Sequence, residues 1–117
     1  MTNLEIEKNP EFDDHEFVAF SAESESGMKS FIAIHSINLG PAVGGTRYWH
    51  YRSEDEALRD ALRLSRAMTY KCALARIPYG GGKGVIMANR FNPKKRKFLV
   101  AYARKINFLK GNFYTGE

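Results

Sequence analysis

The segment MTYKCALARIPYGGGKGVI, residues 68–86, joins a helix to a strand and so decides the fold. Its first part continues an apolar stripe at helical spacing, formed by Leu58, Ala61, Leu62, Ser65, Met68 and Cys72. Pro78 ends this region, because the residue before a proline is pushed out of helical geometry. The short apolar run GVIMA at 84–88 predicts a buried strand.

Three segments precede this helix. Residues 15–22 (HEFVAFSA) and 28–39 (MKSFIAIHSINL) have the pattern of strands, and the turn ESESG between them predicts a β-hairpin. Residues 40–51 (GPAVGGTRYWHY) carry three glycines and a proline, which predicts a loop whose backbone approaches another group closely. The polar and acidic residues 1–14 predict a short helix or an irregular arm, ahead of one domain over residues 15–117.

Two helix boundaries and a last strand complete the pattern. Ser53 followed by Glu56 predicts a capping box at the start of the first helix. Asn92 and Pro93 predict the start of a second helix, which we expect to run to about residue 109. Its apolar side consists of Phe98, Leu99, Tyr102, Ile106 and Leu109. The segment NFYTGE starts a further strand, and the whole order predicts an α/β fold with one mixed sheet.

Composition limits the classes of function. With 44% hydrophobic and 26% charged residues, the chain is typical of a globular domain. A formal net charge of +5 favours anionic partners. The basic run Lys94–Lys97 is nevertheless more typical of a solvated helix face than of a nucleic-acid site, because no aromatic residues are interleaved with it. We therefore expect no nucleic-acid partner.

Metal and membrane sites are not expected either. Cys72 is the only cysteine, so no internal disulfide and no cysteine-based metal cluster can form. His15, His35 and His50 are not spaced as metal ligands and are expected to have surface or packing roles. The N-terminus lacks the pattern of a signal peptide, and no apolar run has the length of a membrane span. We expect a cytoplasmic protein.

Lys71 and Lys83 differ from the other cations because neither belongs to a charged run. Lys71 shares a helix face with Met68, which places a half-buried ammonium group beside the apolar stripe. Lys83 follows Gly80–Gly82, a backbone that would let a ligand approach. If the fold brings the two lysines together, one could hold a carboxylate while the other, its pKa lowered, exchanges protons. The alternative is that both side chains extend into solvent.

Nucleotide-binding loops do not account for the sequence GGGKG. The phosphate-binding pattern requires a glycine where Ile77 stands and a serine or threonine where Gly84 stands. No G-x-G-x-x-G follows a strand within the chain, so the dinucleotide fingerprint is missing as well.

Four motifs in order resemble the N-terminal domain of the Glu/Leu/Phe/Val dehydrogenases, and most closely their leucine, phenylalanine and valine branch. They are GPAVGGTRYW, the acidic-capped helix ending in MTYK, PYGGGKGVI and GNFYTGE, and the resemblance as a whole covers roughly residues 28–117. The resemblance implies a three-layer αβα fold with a mixed sheet and no Rossmann domain in this chain. It also implies homo-oligomers and NAD-dependent oxidative deamination of an L-amino acid to its 2-oxo acid and ammonia.

The resemblance implies roles for individual residues. Lys71 matches the lysine that binds the α-carboxylate of the substrate. Lys83 matches the catalytic lysine that activates the water attacking the imino acid. Gly44 and Gly45 match the segment whose backbone lines the substrate site.

Substrate preference depends on the residue before that glycine pair. Glutamate dehydrogenases carry a lysine there for the side-chain carboxylate of the substrate, whereas this chain has Val43. With Met68 nearby, the pocket is expected to be apolar and to disfavour glutamate, because a buried carboxylate would lack a partner. The choice among leucine, valine and phenylalanine stays open, since a methylene or two changes binding by only about 1–3 kcal/mol.

Two parts of the family pattern lie outside these residues. The catalytic aspartate of the family would directly follow Glu117, and the NAD-binding domain would come later. We therefore expect the 117-residue chain alone to fold, to be inactive and to bind no cofactor. The alternative reading is a catalytically inactive domain that acts as an oligomerisation or interaction module.

Overall fold

A computed structural model describes residues 5–89 and 94–116. Its strands are β1 (Phe17–Glu23), β2 (Met28–Ser36), β3 (Ala42–Trp49), β4 (Gly80–Met87) and β5 (Phe113–Gly116). Its helices are α1 (Glu54–Leu74) and α2 (Lys95–Phe108), with a short 3-10 turn at Ile6–Lys8. None of the helices within the described ranges is long and apolar enough to cross a membrane.

The five strands form one mixed sheet in the order β1-β2-β4-β3-β5. Strand β2 pairs antiparallel with both β1 and β4, whereas β3 pairs parallel with both β4 and β5. The predicted mixed sheet and the predicted hairpin are therefore confirmed. A positive φ of 83° at Gly27 forms the hairpin turn, a conformation that glycine adopts without strain.

The two helices cover opposite faces of this sheet. Because successive side chains of a strand point to opposite faces, the same strands pack against both helices. On one face, Phe31, Ala33 and Val85 pack with Ala57, Leu58, Ala61 and Leu62 of α1. On the other, Met28, Ile32, Ile34, Ala42, Ile86 and Phe113 pack with Phe98, Ala101 and Tyr102 of α2. The three-layer αβα fold is confirmed.

The helix ends follow the sequence where they are described. The hydroxyl oxygen of Ser53 accepts a hydrogen bond from the backbone N–H of Glu56 at 3.1 Å, as expected for a cap. Asn92 and Pro93, the predicted start of α2, lie outside the described residues. Leu99 is 42% exposed, so its assignment to the apolar side of α2 is wrong; Phe98 and Tyr102 are buried as predicted.

The prediction of a loop over residues 40–51 is also wrong, because most of that segment forms β3. Gly44 lets β3 lie close to β4: a methyl group there would overlap the carbonyl group of Gly82. The glycines of this segment thus allow close strand pairing. The sequence correctly predicted a close backbone approach, but the segment is a strand and not a loop.

Candidate active site

Lys83 lies in the middle of β4 on the face that α1 covers. Val85, two residues further along the strand, is buried against α1, and alternate residues of a strand share a face. Ala33 of β2 is the partner of Lys83 in the sheet, so the neighbouring strand adds a small uncharged side chain beside it. Lys83 is half-buried as a result.

The environment of Lys83 lowers its pKa. The largest cause is burial, which disfavours the charged ammonium, followed by the positive charge of Arg47. The carboxylate of Asp60 raises the pKa and partly opposes this effect, while the charge of Lys71 lowers it further. Lys71 and Lys83 therefore lie close enough to influence each other.

Lys71 lies in the last turn of α1, and its side chain is exposed. The expectation of a half-buried Lys71 is wrong, because Cys72 takes the position against the sheet in this turn and places its thiol 3.7 Å from the carbonyl oxygen of Gly80. Met68, one turn earlier on the same flank of α1, is half-buried. Across residues 5–89 and 94–116, neither Lys71 nor Lys83 forms an ion pair with a carboxylate.

Val43 and the glycine pair lie on β3, beside the strand that carries Lys83. Val43 is half-buried and pairs with Gly81 of β4 and with Tyr114 of β5. Gly44 is buried, and Gly45 is half-buried and pairs with Gly116. The predicted site residues of β3 and β4 thus occupy adjacent positions in the sheet.

The glycines before Lys83 do not provide open backbone for a ligand, so that interpretation is wrong. Gly80–Gly82 belong to β4 itself. A methyl group at Gly81 would overlap the backbone of Thr69 and Ser65 in α1, and one at Gly82 would come within 2.8 Å of the Phe113 ring. These glycines instead let α1 and Phe113 approach β4 from opposite faces, which holds Lys83 beside the helix.

A network centred on Asp60 was not predicted from the sequence. Its carboxylate accepts hydrogen bonds from the Tyr51 hydroxyl at 2.6 Å, the Arg63 guanidinium at 2.8 Å and the Arg47 guanidinium at 3.1 Å. Burial alone would raise the pKa of Asp60, but these bonds and the two positive charges more than offset it and hold the pKa below its usual value. The sequence contained one signal for this network: Asp60 directly precedes Ala61 of the apolar stripe, and a carboxylate at such a position needs hydrogen-bond partners.

The histidines join the N-terminal segment to α1. His15 is buried, accepts a hydrogen bond at Nδ1 from the backbone N–H of Asp13, and places Nε2 2.8 Å from the carbonyl oxygen of Leu62. His35 binds the Asp13 carboxylate at 2.9 Å and the Thr69 hydroxyl at 2.8 Å. These are packing roles, as predicted for His15 and His35.

No group of three or more histidine, cysteine, aspartate or glutamate side chains within the described ranges could hold a metal ion.

Comparison with known proteins gives consistent matches. The sequence profile of "Glu/Leu/Phe/Val dehydrogenase, dimerisation domain" matches residues 14–116. Leucine dehydrogenase of Geobacillus stearothermophilus is 49% identical over 114 residues, which is 97% of this chain and 31% of that protein. Phenylalanine dehydrogenase of Lysinibacillus sphaericus is 48% identical over 103 residues, which is 88% of this chain and 27% of that protein.

A solved structure agrees with these relatives. The crystal structure of L-tryptophan dehydrogenase from Nostoc punctiforme superimposes with a TM-score of 0.83 at 52% identity. The match covers 88% of this chain and 31% of that one. The chain thus spans roughly a third of the length of the proteins it matches.

Proposed function

The chain belongs to the Glu/Leu/Phe/Val dehydrogenase family and corresponds to the N-terminal domain of its members, and we propose that it supplies the substrate-binding part of an NAD-dependent amino-acid dehydrogenase. The reaction is oxidative deamination of an apolar L-amino acid to its 2-oxo acid and ammonia. The observation that carries the proposal is the proximity of Lys71 and Lys83, two ammonium groups without an ion pair in the described part of the chain.

In this proposal Lys71 binds the α-carboxylate of the substrate. Its ammonium group is exposed, it stands in the last turn of α1, and no carboxylate of the described residues neutralises it. A charge-assisted hydrogen bond to a substrate carboxylate would satisfy it and fix the orientation of the amino acid.

Lys83 acts as the acid–base group. Because burial and neighbouring positive charges lower its pKa, a larger fraction of its side chain is neutral amine near neutral or mildly alkaline pH than for a lysine in water. As a neutral amine, Lys83 accepts the proton of the water that attacks the imino carbon and becomes an ammonium group. It gives that proton up again when the product forms.

The described residues do not themselves fit an NAD site. The glycine-rich segment before Lys83 lies inside β4, with Gly81 covered by α1 and Gly82 covered by Phe113. A dinucleotide-binding turn instead exposes its glycines at the N-terminus of a helix. NAD dependence is therefore a proposal about the whole protein, and no step by this chain's residues is assigned to it.

The preference for an apolar substrate rests on Val43. This half-buried side chain lies on the sheet face that carries Lys83, beside Tyr114 of β5, and Gly45, two residues further along β3, adds no side chain there. An apolar side chain of the substrate could pack there, whereas a second carboxylate would lose water without gaining a partner from Val43. The relatives include leucine, phenylalanine and tryptophan dehydrogenases, and the proposal covers this class.

The experiment for this function is a substrate panel on the whole protein that contains this chain. Reduction of NAD is measured with leucine, valine, phenylalanine, tryptophan and glutamate at equal concentrations. We expect turnover with at least one apolar amino acid and little with glutamate. Absence of turnover with all five, or preference for glutamate, would contradict the proposal.

A Val43→Lys variant sharpens the same test. A lysine at this position would offer glutamate a charge-assisted hydrogen bond, worth about 1.5–3 kcal/mol, so glutamate should gain at least about tenfold in kcat/KM relative to leucine. Val43→Leu is the matched control, because it changes volume without adding charge. Equal relative rates in the two variants would remove Val43 from the pocket.

A second role, as an assembly module, is favoured by the surface. Leu74 and Phe108 are 85% and 81% exposed, and Trp49 and Leu39 are more than half exposed. The family profile that matches the chain is that of a dimerisation domain, and these exposed apolar side chains could contact a second subunit. We propose that the domain forms homo-oligomers. Size-exclusion chromatography with light scattering tests this, and a monomer at all concentrations that also ignores the whole protein would exclude it.

A further inference from the structure

The ion pair between Arg47 and Asp60 lies beside Lys83. Arg47 is the register partner of Val85, so its side chain shares the α1 face of the sheet with Lys83, one strand away and two residues along. Asp60 reaches the same place from α1, with its carboxylate 3.1 Å from the Arg47 guanidinium.

Within residues 5–89 and 94–116, the charged groups that face Lys83 come from two elements. Strand β3 contributes Arg47, and helix α1 contributes Asp60 and Lys71. Strand β2 contributes Ala33, which carries no charge. One negative and two positive charges therefore surround this ammonium group.

Asp60 is held more firmly than a surface ion pair. Its side chain is only 11% exposed, and it keeps the Tyr51 hydroxyl and the Arg63 guanidinium as partners in addition to Arg47. Burial raises the pKa of Tyr51, and the Asp60 carboxylate raises it further, so Tyr51 stays a neutral donor. The carboxylate therefore keeps both its charge and its position while Lys83 titrates.

We propose that Arg47 and Asp60 act together as positioning residues for Lys83, holding one positive and one negative charge at fixed places beside its side chain. The inference rests on the proposed function, in which Lys83 exchanges a proton with water. Neither residue needs to touch the substrate. Their effect is on the balance between the amine and ammonium forms of Lys83.

The two charges act in opposite directions. The guanidinium of Arg47 favours the neutral amine, and the carboxylate of Asp60 favours the ammonium. Because the two groups form one ion pair and Asp60 keeps further hydrogen bonds, both charges stay beside Lys83 together and their effects on its proton affinity partly cancel.

The test is a titration of Lys83 itself, followed by NMR through its side-chain Cε signals in the isotopically labelled chain. Lys83→Arg assigns the signal by removing it. We expect Arg47→Gln to raise the titration midpoint of Lys83 and Asp60→Asn to lower it. The double variant Arg47→Gln/Asp60→Asn should return close to the wild-type midpoint.

Arg63→Gln is the matched control. Arg63 also binds the Asp60 carboxylate, but its charge is not among those that act on Lys83. Its effect should be smaller than that of Arg47→Gln. Shifts of the same sign in the Arg47 and Asp60 variants, or no shift in either, would overturn the inference. If Asp60→Asn does not fold, Arg47→Gln against Arg63→Gln decides the question alone.

The pH dependence of kcat/KM in the whole protein provides the second readout. The limb of the profile in which kcat/KM rises with pH should move with the Lys83 midpoint in each variant, because the neutral amine is the active form, and a merely structural role would not cause this. Failure of the proposed function is distinguishable: activity would then not depend on Lys83, although the titration shifts would persist. An essential Lys83 whose titration ignores both variants would instead remove only this inference.

Discussion

The two flanks of helix α1 differ in whether they leave ammonium groups without an ion pair among the described residues. On the flank toward the N-terminal segment, His15, His35 and Asp13 complete their hydrogen bonds within the protein, and Arg66 binds Glu11 at 2.8 Å. On the opposite flank, Lys71 carries an ammonium group with no ion pair in the described ranges, and Lys83 lies beside it on β4.

The difference separates residues that hold the fold from residues available to a ligand. Buried polar groups in proteins are nearly always satisfied, so the complete network on the first flank is what a structural role requires. A lysine that is partly removed from water and left unpaired, as Lys83 is, reduces stability, and such groups cluster at functional sites.

Close packing of α1 on β4 underlies both flanks, and Gly81→Ala should disrupt it most. The added methyl group would overlap the backbone of Thr69 and Ser65, which cannot move without shifting the helix. We expect a loss of roughly 3 kcal/mol in the free energy of unfolding, measured by urea denaturation. Gly116→Ala is the control, because nothing lies within 4 Å of the methyl group there. Equal stability of the two variants would show that α1 does not lie on Gly81.

The histidine network predicts loss of stability in acid. Burial is the main cause that lowers the pKa of His15 below 6.5, so the unfolded chain binds a proton that the folded chain resists. Stability from this group is complete above pH 6.5 and is lost as the pH falls through the folded-state pKa, at up to about 1.4 kcal/mol per pH unit. The Asp13 carboxyl, whose pKa the His35 hydrogen bond lowers, affects the pH dependence of stability only below its usual pKa of 3.8.

Denaturation curves of His15→Gln between neutral and mildly acidic pH check this prediction. The variant should be less stable at neutral pH and should lose the acid dependence of the wild type. His50→Gln is the control, since His50 is exposed. A wild-type profile that is flat below neutral pH would contradict the assignment of a neutral, hydrogen-bonded His15.

Lys83, on the opposite flank, should have the reverse and smallest effect on the free energy of unfolding. Because the folded-state pKa of Lys83 is lowered, its charge costs stability at neutral pH, and that cost disappears as the pH rises above this pKa. Lys83→Met should therefore raise the free energy of unfolding by about 0.5–1 kcal/mol at pH 7. Lys97→Met, at an exposed position on α2, should change it by less than about 0.5 kcal/mol. A clear destabilisation by Lys83→Met would mean that Lys83 has a structural role.

Much of the fold could be predicted because its signals are local. The alternation of β1, the apolar run of β2, the cap at Ser53 and the apolar stripe of α1 each depend on neighbouring residues. The glycines of β3 and β4 were misassigned because a glycine shows that something approaches the backbone closely and does not say what. Here protein fills the space at Gly81 and Gly82.

The candidate site could be predicted only in part. Lys71 and Lys83 stood out by their unusual surroundings in the sequence. The contacts of Asp60 with Arg47 and of His15 with Leu62 could not be predicted, because these pairs lie 13 and 47 residues apart in the sequence. Only the folded sheet brings such groups together, and no spacing rule in the sequence marks them.

In the proposed function Lys71 binds the substrate and Lys83 transfers the proton. Steady-state kinetics of the whole protein can distinguish these two roles. Lys71→Gln should raise KM for the amino acid by about 10–100-fold with a smaller change in kcat, because it removes a charged contact to the carboxylate. Lys83→Gln should lower kcat by about 10²–10⁴-fold with KM little changed, because it removes the acid–base group. Lys97→Gln should leave both constants unchanged. Normal turnover by Lys83→Gln, or the same kinetic change in both site variants, would contradict the account.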